Sequence, residues 1–273
     1  MLMSSIADRY AYQLLVARAH SKSLIPISNT STLSLSDAYD IAKSLDAIRV
    51  AEGELPIGRK LGLVNCRSCP NQDIQQDLIF SSLFSSTVRF LDEPIAIQSL
   101  SGALQPKLAP LVVFKFARTP TADATRDELA DALEWIAHGV EIVVNPYSDS
   151  VFTSADSIAS FGMHGTLLIA EPHILSTATR LHLGHALAEA SVSVSCDERL
   201  VGAGYGHNVL HNPLNALWHL HQLINSQLRF PNLHVGEIIA SGSWTIPYSI
   251  KPGQTWTTAF SGIALAGLSL SFV

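Results

Sequence analysis

Few side chains able to do chemistry fall into a familiar signature in this sequence. Eleven histidines are present. His182 and His185, and His207 and His211, have spacings that place two imidazoles on one helical face, the beginning of a metal site. No H-E-x-x-H accompanies them, and His219 and His221, two apart, diverge on a helix. Surface or hydrogen-bonded core histidines are the plainer reading. Cys66-Arg-Ser-Cys69 is formally C-x-x-C but lacks a second pair to complete a tetrahedral site, so it reads as a loop with two thiols. No G-x-S-x-G nucleophile elbow occurs. Gly202-Ala-Gly204-Tyr-Gly206 has the wrong spacing for a dinucleotide loop and reads as a flexible hairpin or an active-site rim. Glu141 stands apart. It interrupts the apolar run Val140 to Val144, where a buried carboxylate needs either a cation or a proton.

The elements that would position these groups follow from periodicity. Ile6, Tyr10, Leu14 and Val16 predict an amphipathic helix from Ser4 to His20. Ser34 and Asp37 form a capping box that opens a second helix through Ile41, Leu45 and Ile48. A second box, Thr125 with Glu128, precedes Leu129, Leu133 and Ile136; this predicts a helix to about His138, with Gly139 at its stop and a short strand over 140–144. Leu108 to Ala117, Val235 to Ala240 and Thr255 to Phe272 read as β segments. Thr179 to Glu189 and the apolar stripe after His211-Asn-Pro read as helices. Strands and helices do not alternate, so the expected class is α+β with a curved, mostly antiparallel sheet.

Composition narrows the function classes. The 273 residues are 47% hydrophobic and 15% charged, against a usual charged share of roughly 25%, which excludes a disordered chain. A net charge of -6 with no basic run argues against nucleic acid as a partner. The most apolar stretch, 260–273, is broken by serines and too short to span a bilayer, so no membrane partner is expected. Asp8 and Arg9 interrupt what an export signal would need, and three cysteines cannot all pair; a cytoplasmic location is the expectation.

Several segments, taken in order, resemble one family: Gly58-Arg-Lys60-Leu-Gly62, Leu104-Gln-Pro106-Lys, Val140-Glu141, Asp156 followed by Gly162-Met-His164-Gly165, Asn212-Pro-Leu-Asn215, Gly236-Glu-Ile-Ile, Ser241-Gly242-Ser243 and Lys251-Pro-Gly253. They look like the 2-keto-4-pentenoate hydratase and 4-oxalocrotonate decarboxylase family of the fumarylacetoacetate hydrolase superfamily. The resemblance implies a β-roll over residues 58–273 behind an N-terminal helical region over 1–57. It also implies a homo-oligomer and a pocket for a small 2-oxo or enol acid.

The chain departs from that pattern where the family holds Mg²⁺. The resemblance implies two alternate glutamates on the strand after Gln105-Pro106-Lys107 and a third after the helix. Here Ala109 and Leu111 take the first two positions, and only the third, Glu141, remains. Alternate residues share one strand face, and neither replacement offers an oxygen. Ile79 replaces the family's aspartate, and Pro146 stands where an arginine is common.

A metal-independent reaction without a cofactor is therefore expected. The resemblance puts Lys60 near the substrate carbonyl, as a proton donor or oxyanion stabiliser. Glu141 pairs with a cation such as Lys60 or becomes protonated, and then serves as acid or base. Ala109, Leu111, Asp156, His164, Ser241, Gly242 and Ser243 are expected around the substrate. The expected chemistry is isomerisation or ring formation, including a cycloaddition, on an apolar conjugated carbonyl compound in specialised biosynthesis. The alternatives are a hydratase or decarboxylase with weak Mg²⁺ binding and a silent partner subunit of an active paralogue.

Overall fold

The computed structural model describes residues 5–63, 78–148 and 151–273. Cys66 and Cys69 lie outside the described residues. Within them the helices are α1 (Ile6–Ala19), α2 (Leu35–Ala51), α3 (Arg126–Asp131), α4 (Ser154–Ala159), α5 (Thr177–Glu189) and α6 (Pro213–Asn225). The strands are β1 (Pro56–Leu63), β2 (Leu78–Phe84), β3 (Val88–Phe90), β4 (Ile95–Gln98), β5 (Lys107–Phe116), β6 (Leu133–Val143), β7 (His164–Ile169), β8 (His173–Ile174), β9 (Ser191–Cys196), β10 (Arg199–Tyr205), β11 (Ile238–Ala240), β12 (Tyr248–Ser249), β13 (Thr255–Ser261) and β14 (Leu268–Phe272).

Local chemistry sets the helix starts. Ser5 with Asp8, Ser34 with Asp37 and Thr125 with Glu128 all form reciprocal capping boxes, each satisfying donors that a helix start leaves free. Asn212 caps α6, with Pro213 preset for the first turn. Its stripe Leu214, Leu217, Leu220 and Ile224 is buried against β2, β5 and α3 in the main core.

The strands form two sheets. One runs β2-β1-β11-β5-β6-β7-β3, with β12 on β5 and β8 on β6; the other runs β10-β9-β13-β14-β4. Most pairs are antiparallel; β1 with β11, β3 with β7 and β4 with β14 are parallel. This α+β roll agrees with the expected class.

One expectation is corrected. The helix from Thr125 stops at Asp131, and residues expected to continue it to His138 are instead the first half of β6. Leu133–Val143 pairs with β5 from Phe116 back to Lys107, a ladder that outweighs the local helical spacing. Gly139 is thus a strand residue rather than a helix stop, and a Cβ there would sit 2.7 Å from Val113 Cγ2 and 2.8 Å from Leu111 Cδ1.

α1 and α2 pack with α4 and with Ile79 of β2 in one apolar cluster. This lays the N-terminal helices over one end of the roll. The Gly202–Gly206 segment is ordered: β10 pairs with β9 through a turn at Asp197 and Glu198, both at positive φ. Gly204 faces the Trp244 backbone so closely that a Cβ would lie 2.2 Å from its carbonyl oxygen. Among the described residues no helix is long and apolar enough to cross a membrane.

Candidate active site

Glu141 lies near the C-terminal end of β6, directly opposite Ala109 of β5 and Leu167 of β7. Leu111 is opposite Gly139, two residues along, so Ala109, Leu111 and Glu141 share one sheet face. That face is otherwise apolar, built from Leu83, Val113, Ala137, Ile169, Ile238 and Ala240 among others. A carboxylate that is 3% exposed in such a wall has to be neutralised or protonated.

Two side chains converge on it. Lys60, from β1, places Nζ 2.9 Å from Glu141 Oε1, and His164, at the start of β7, places Nδ1 2.8 Å from the same oxygen. Of the two outcomes expected for Glu141, pairing with Lys60 is the one found. Burial alone would raise the Glu141 pKa, but the Lys60 charge and the His164 hydrogen bond outweigh it and hold the carboxyl below its ordinary value. Burial lowers the His164 pKa, against the pull of Glu141 and with help from the Lys60 and Arg18 charges, so its ring is neutral.

The proton positions follow. A carboxylate only accepts, so His164 Nδ1 carries the hydrogen and donates to Glu141. Nε2 of a neutral ring then accepts, and its partner is the Thr87 hydroxyl at 3.0 Å. Thr87 Oγ1 also lies 3.1 Å from the Phe84 carbonyl, and its single proton serves one acceptor at a time. The result is a hydrogen-bonded chain Lys60–Glu141–His164–Thr87 with no net charge.

Lys60 makes a second bond, donating to the Gly162 carbonyl at 2.7 Å. That carbonyl belongs to a turn in which Phe161, Gly162 and Met163 all have positive φ, at 55°, 59° and 62°. Two of the three bear side chains and are strained there. Gly162 also passes close to Ser81, where a Cβ would lie 2.5 Å from the hydroxyl oxygen. Ser81 is the register partner of Lys60 across β1 and β2, and its buried hydroxyl has no hydrogen-bond partner among the described residues. Thr87, Ser81 and the Gly162 carbonyl were not foreseen from sequence. In the sequence Gly162 is marked only by the Gly162-Met-His164-Gly165 segment, and Ser81 only as a polar residue within the largely apolar run Leu78–Phe84.

The remaining expected residues are held by structural bonds. Asp156 caps α4: it accepts from Thr153 N and Oγ1, both at 2.8 Å, and from Ser28 N at 3.0 Å and Ser28 Oγ at 2.6 Å. Burial opposes the charge, yet these bonds keep its pKa below the ordinary carboxylate value. Ser241 Oγ accepts from Val112 N at 3.2 Å and donates to the Gly242 carbonyl. Ser243 donates to Thr245 O at 2.8 Å. Among the described residues none of these is hydrogen-bonded to Lys60, Glu141 or His164.

The divalent ion implied by the resemblance does not fit this arrangement. Ala109 and Leu111 supply no oxygen, and the Glu141 oxygen that would face a cation already carries an ammonium and an imidazole N–H. Among the described residues no group of three or more His, Cys, Asp or Glu side chains is placed to hold a metal. His182 and His185 are exposed on α5, in keeping with the surface reading of that pair.

No family model matches the chain. It is 26% identical over 266 residues to 2-hydroxyhexa-2,4-dienoate hydratase of Comamonas testosteroni, covering 95% of each protein. It is 27% identical over 264 residues to 2-keto-4-pentenoate hydratase of Paraburkholderia xenovorans (strain LB400), covering 94% of this chain and 91% of that one. Among solved structures, 4-oxalocrotonate decarboxylase from Pseudomonas putida G7, complexed with magnesium and adipate, aligns with a TM-score of 0.85 at 18% identity, over 100% of this chain and 99% of that one. The fold is the fumarylacetoacetate hydrolase-like roll.

Proposed function

We propose, from a chain that resembles the 2-keto-4-pentenoate hydratase and 4-oxalocrotonate decarboxylase family over nearly its whole length, a metal-independent enzyme that rearranges a largely apolar conjugated carbonyl compound. The reaction is an isomerisation or ring closure, a cycloaddition included, within specialised biosynthesis. The single observation that carries this reading is the ion pair of Lys60 with Glu141, on a face where Ala109 and Leu111 replace the carboxylates that the resemblance implies.

In this reading the substrate carbonyl takes the place of the Gly162 carbonyl as acceptor for Lys60, whose charge stabilises developing enolate character. Glu141, still beside the Lys60 ammonium, accepts a proton from carbon. The electron pair moves through the conjugated system to the carbonyl oxygen, and the proton returns at another carbon, so no oxidant or cofactor is needed. For a cycloaddition Lys60 acts only as hydrogen-bond donor, and the wall shapes the substrate. Ala109, Leu111 and His164 border the substrate, while Asp156 and Ser241-Gly242-Ser243 hold the surrounding segments. The Ser81 hydroxyl, without a hydrogen-bond partner among the described residues, and the strained turn at Phe161–Met163 support a functional surface here. The reading assumes a cytoplasmic homo-oligomer.

The likeness to hydratases favours a second reading, water addition or decarboxylation on a 2-oxo or dienol acid. One assay separates them. The protein is incubated with 2-hydroxypenta-2,4-dienoate and, separately, with an apolar β,γ-unsaturated ketone, each with EDTA and with Mg²⁺. Ketone isomerisation that is indifferent to EDTA and lost in the Lys60→Met/Glu141→Gln double variant supports the proposal; Mg²⁺-dependent turnover of the dienoate alone overturns it.

A further inference from the structure

A cavity of about 480 Å³ lies between the C-terminal half of α1, the segment 98–104 and the Ser160–Phe161 turn. This falls within the usual size of small-molecule sites. Ile142 of β6 forms part of its floor, and alternate strand residues face opposite ways, so the cavity is on the other side of the sheet from Glu141. None of Lys60, Glu141 and His164 lines it. Its walls are mixed: Leu14, Leu104, Ile142, Val144, Pro146 and Phe161 supply apolar surface, Gln98, Ser160 and Thr166 polar groups, and its rim carries Ser21, Ser99 and Ser101.

Its charge is one-sided. Arg18 and Lys22 line the cavity and, among the described residues, no acidic side chain does, in a protein of net charge -6. Arg18 bonds no carboxylate among the described residues. It donates to the carbonyls of His164 at 2.8 Å and Gly165 at 3.2 Å and lies 4.6 Å over the Phe161 ring. A guanidinium has five N–H donors, so donors remain beyond these two bonds. Lys22 is exposed, and no side-chain partner holds its ammonium among the described residues. Arg18 feels the Glu54 charge but is bonded to no carboxylate among the described residues, and with Lys22 beside apolar side chains it is complementary to a molecule with one anionic end and a hydrocarbon body.

We infer that this cavity is a second small-molecule site, one that takes an amphipathic carboxylate with its anionic end at Arg18 and Lys22 and its apolar body against Leu104, Ile142 and Phe161. Because Arg18 also holds the backbone of His164, an occupant is in contact with the element that carries the Glu141 partner.

Calorimetric titration with sodium hexanoate tests this, with hexan-1-ol as the uncharged control. Lys22→Glu inverts the rim charge and Ser101→Trp blocks the mouth; both positions are exposed, so unchanged melting temperatures certify folding. One hexanoate per chain is expected, with hexan-1-ol at least ~10-fold weaker, Lys22→Glu at least ~10-fold weaker, and binding lost in Ser101→Trp. The Lys60→Met/Glu141→Gln variant should bind hexanoate as the native chain does. Absence of saturable binding, equal binding of the alcohol, indifference to both rim variants, or loss of binding in the double variant would each overturn the assignment.

Discussion

Replacing Lys60 with methionine removes the charge and keeps most of the side-chain volume, which leaves Glu141 in an apolar wall with only His164 as partner. At 2.9 Å and an effective dielectric of about 20, the attraction between Lys60 and Glu141 is about 6 kcal/mol. Part of this offsets desolvation of the two groups, and removing one partner of such a pair usually costs about 3–5 kcal/mol. Lys60→Met should lose about that much stability at pH 8, read as the urea midpoint, provided the denaturant slope is unchanged. The pH dependence should then change sign. In the native protein the Glu141 pKa is held down, so its contribution is present above the ordinary carboxylate value and is lost as pH falls through the folded value. Without Lys60, burial dominates and the cluster takes up a proton, shared between Glu141 and His164. A group whose folded pKa is raised stabilises at low pH and loses that contribution as pH rises, so Lys60→Met should be least impaired in acid. The double variant Lys60→Met/Glu141→Gln should recover most of the loss. A Lys60→Met protein as stable as the native chain at pH 8, with an unaltered pH profile, would refute the reasoning.

Two further outcomes follow from the same physics. His138 is fully buried between Thr258 and the Ala266 carbonyl, and burial lowers its pKa to about 4 from 6.5. Its neutral ring supports stability above about pH 6.5, and that support is lost as pH falls toward 4, a change of about 3 kcal/mol. His138→Gln should flatten the stability profile between those pH values, and an unchanged slope in urea titrations would contradict this. Gly206 packs against the end of α5, where a Cβ would sit 1.7 Å from the Leu187 carbonyl oxygen. Gly206→Ala should cost about 3 kcal/mol, at the upper end of overpacking penalties, and a native melting temperature would show that the contact is loose.

Legibility of this chain from sequence depended on the range of the interactions. The capping boxes at Ser34 and Thr125 and the stripe of α6 could be read because every participant lies within a few residues. The continuation of α3 to His138 was misread because Leu129, Leu133 and Ile136 fit a helical period, whereas Leu133–Val143 is committed by pairing with β5, whose partner residues lie 17 to 36 positions earlier in the chain. The need to neutralise Glu141 was visible in its apolar surroundings. The choice of Lys60 over protonation was not, since it depends on β1 and β6 lying on one face of the same sheet. His164 was expected near the substrate without its bond to Glu141, and Thr87, 77 residues from His164, carried no local mark.

The central claim is that an internal ion pair stands where a divalent cation would otherwise be held. Manganese(II) titration followed by electron paramagnetic resonance tests it most directly, because free and bound ions give distinct signals without need of a substrate. No saturable site is expected in the native protein at millimolar Mn²⁺. One ion bound per chain at micromolar concentration, and lost in Glu141→Gln, would contradict it.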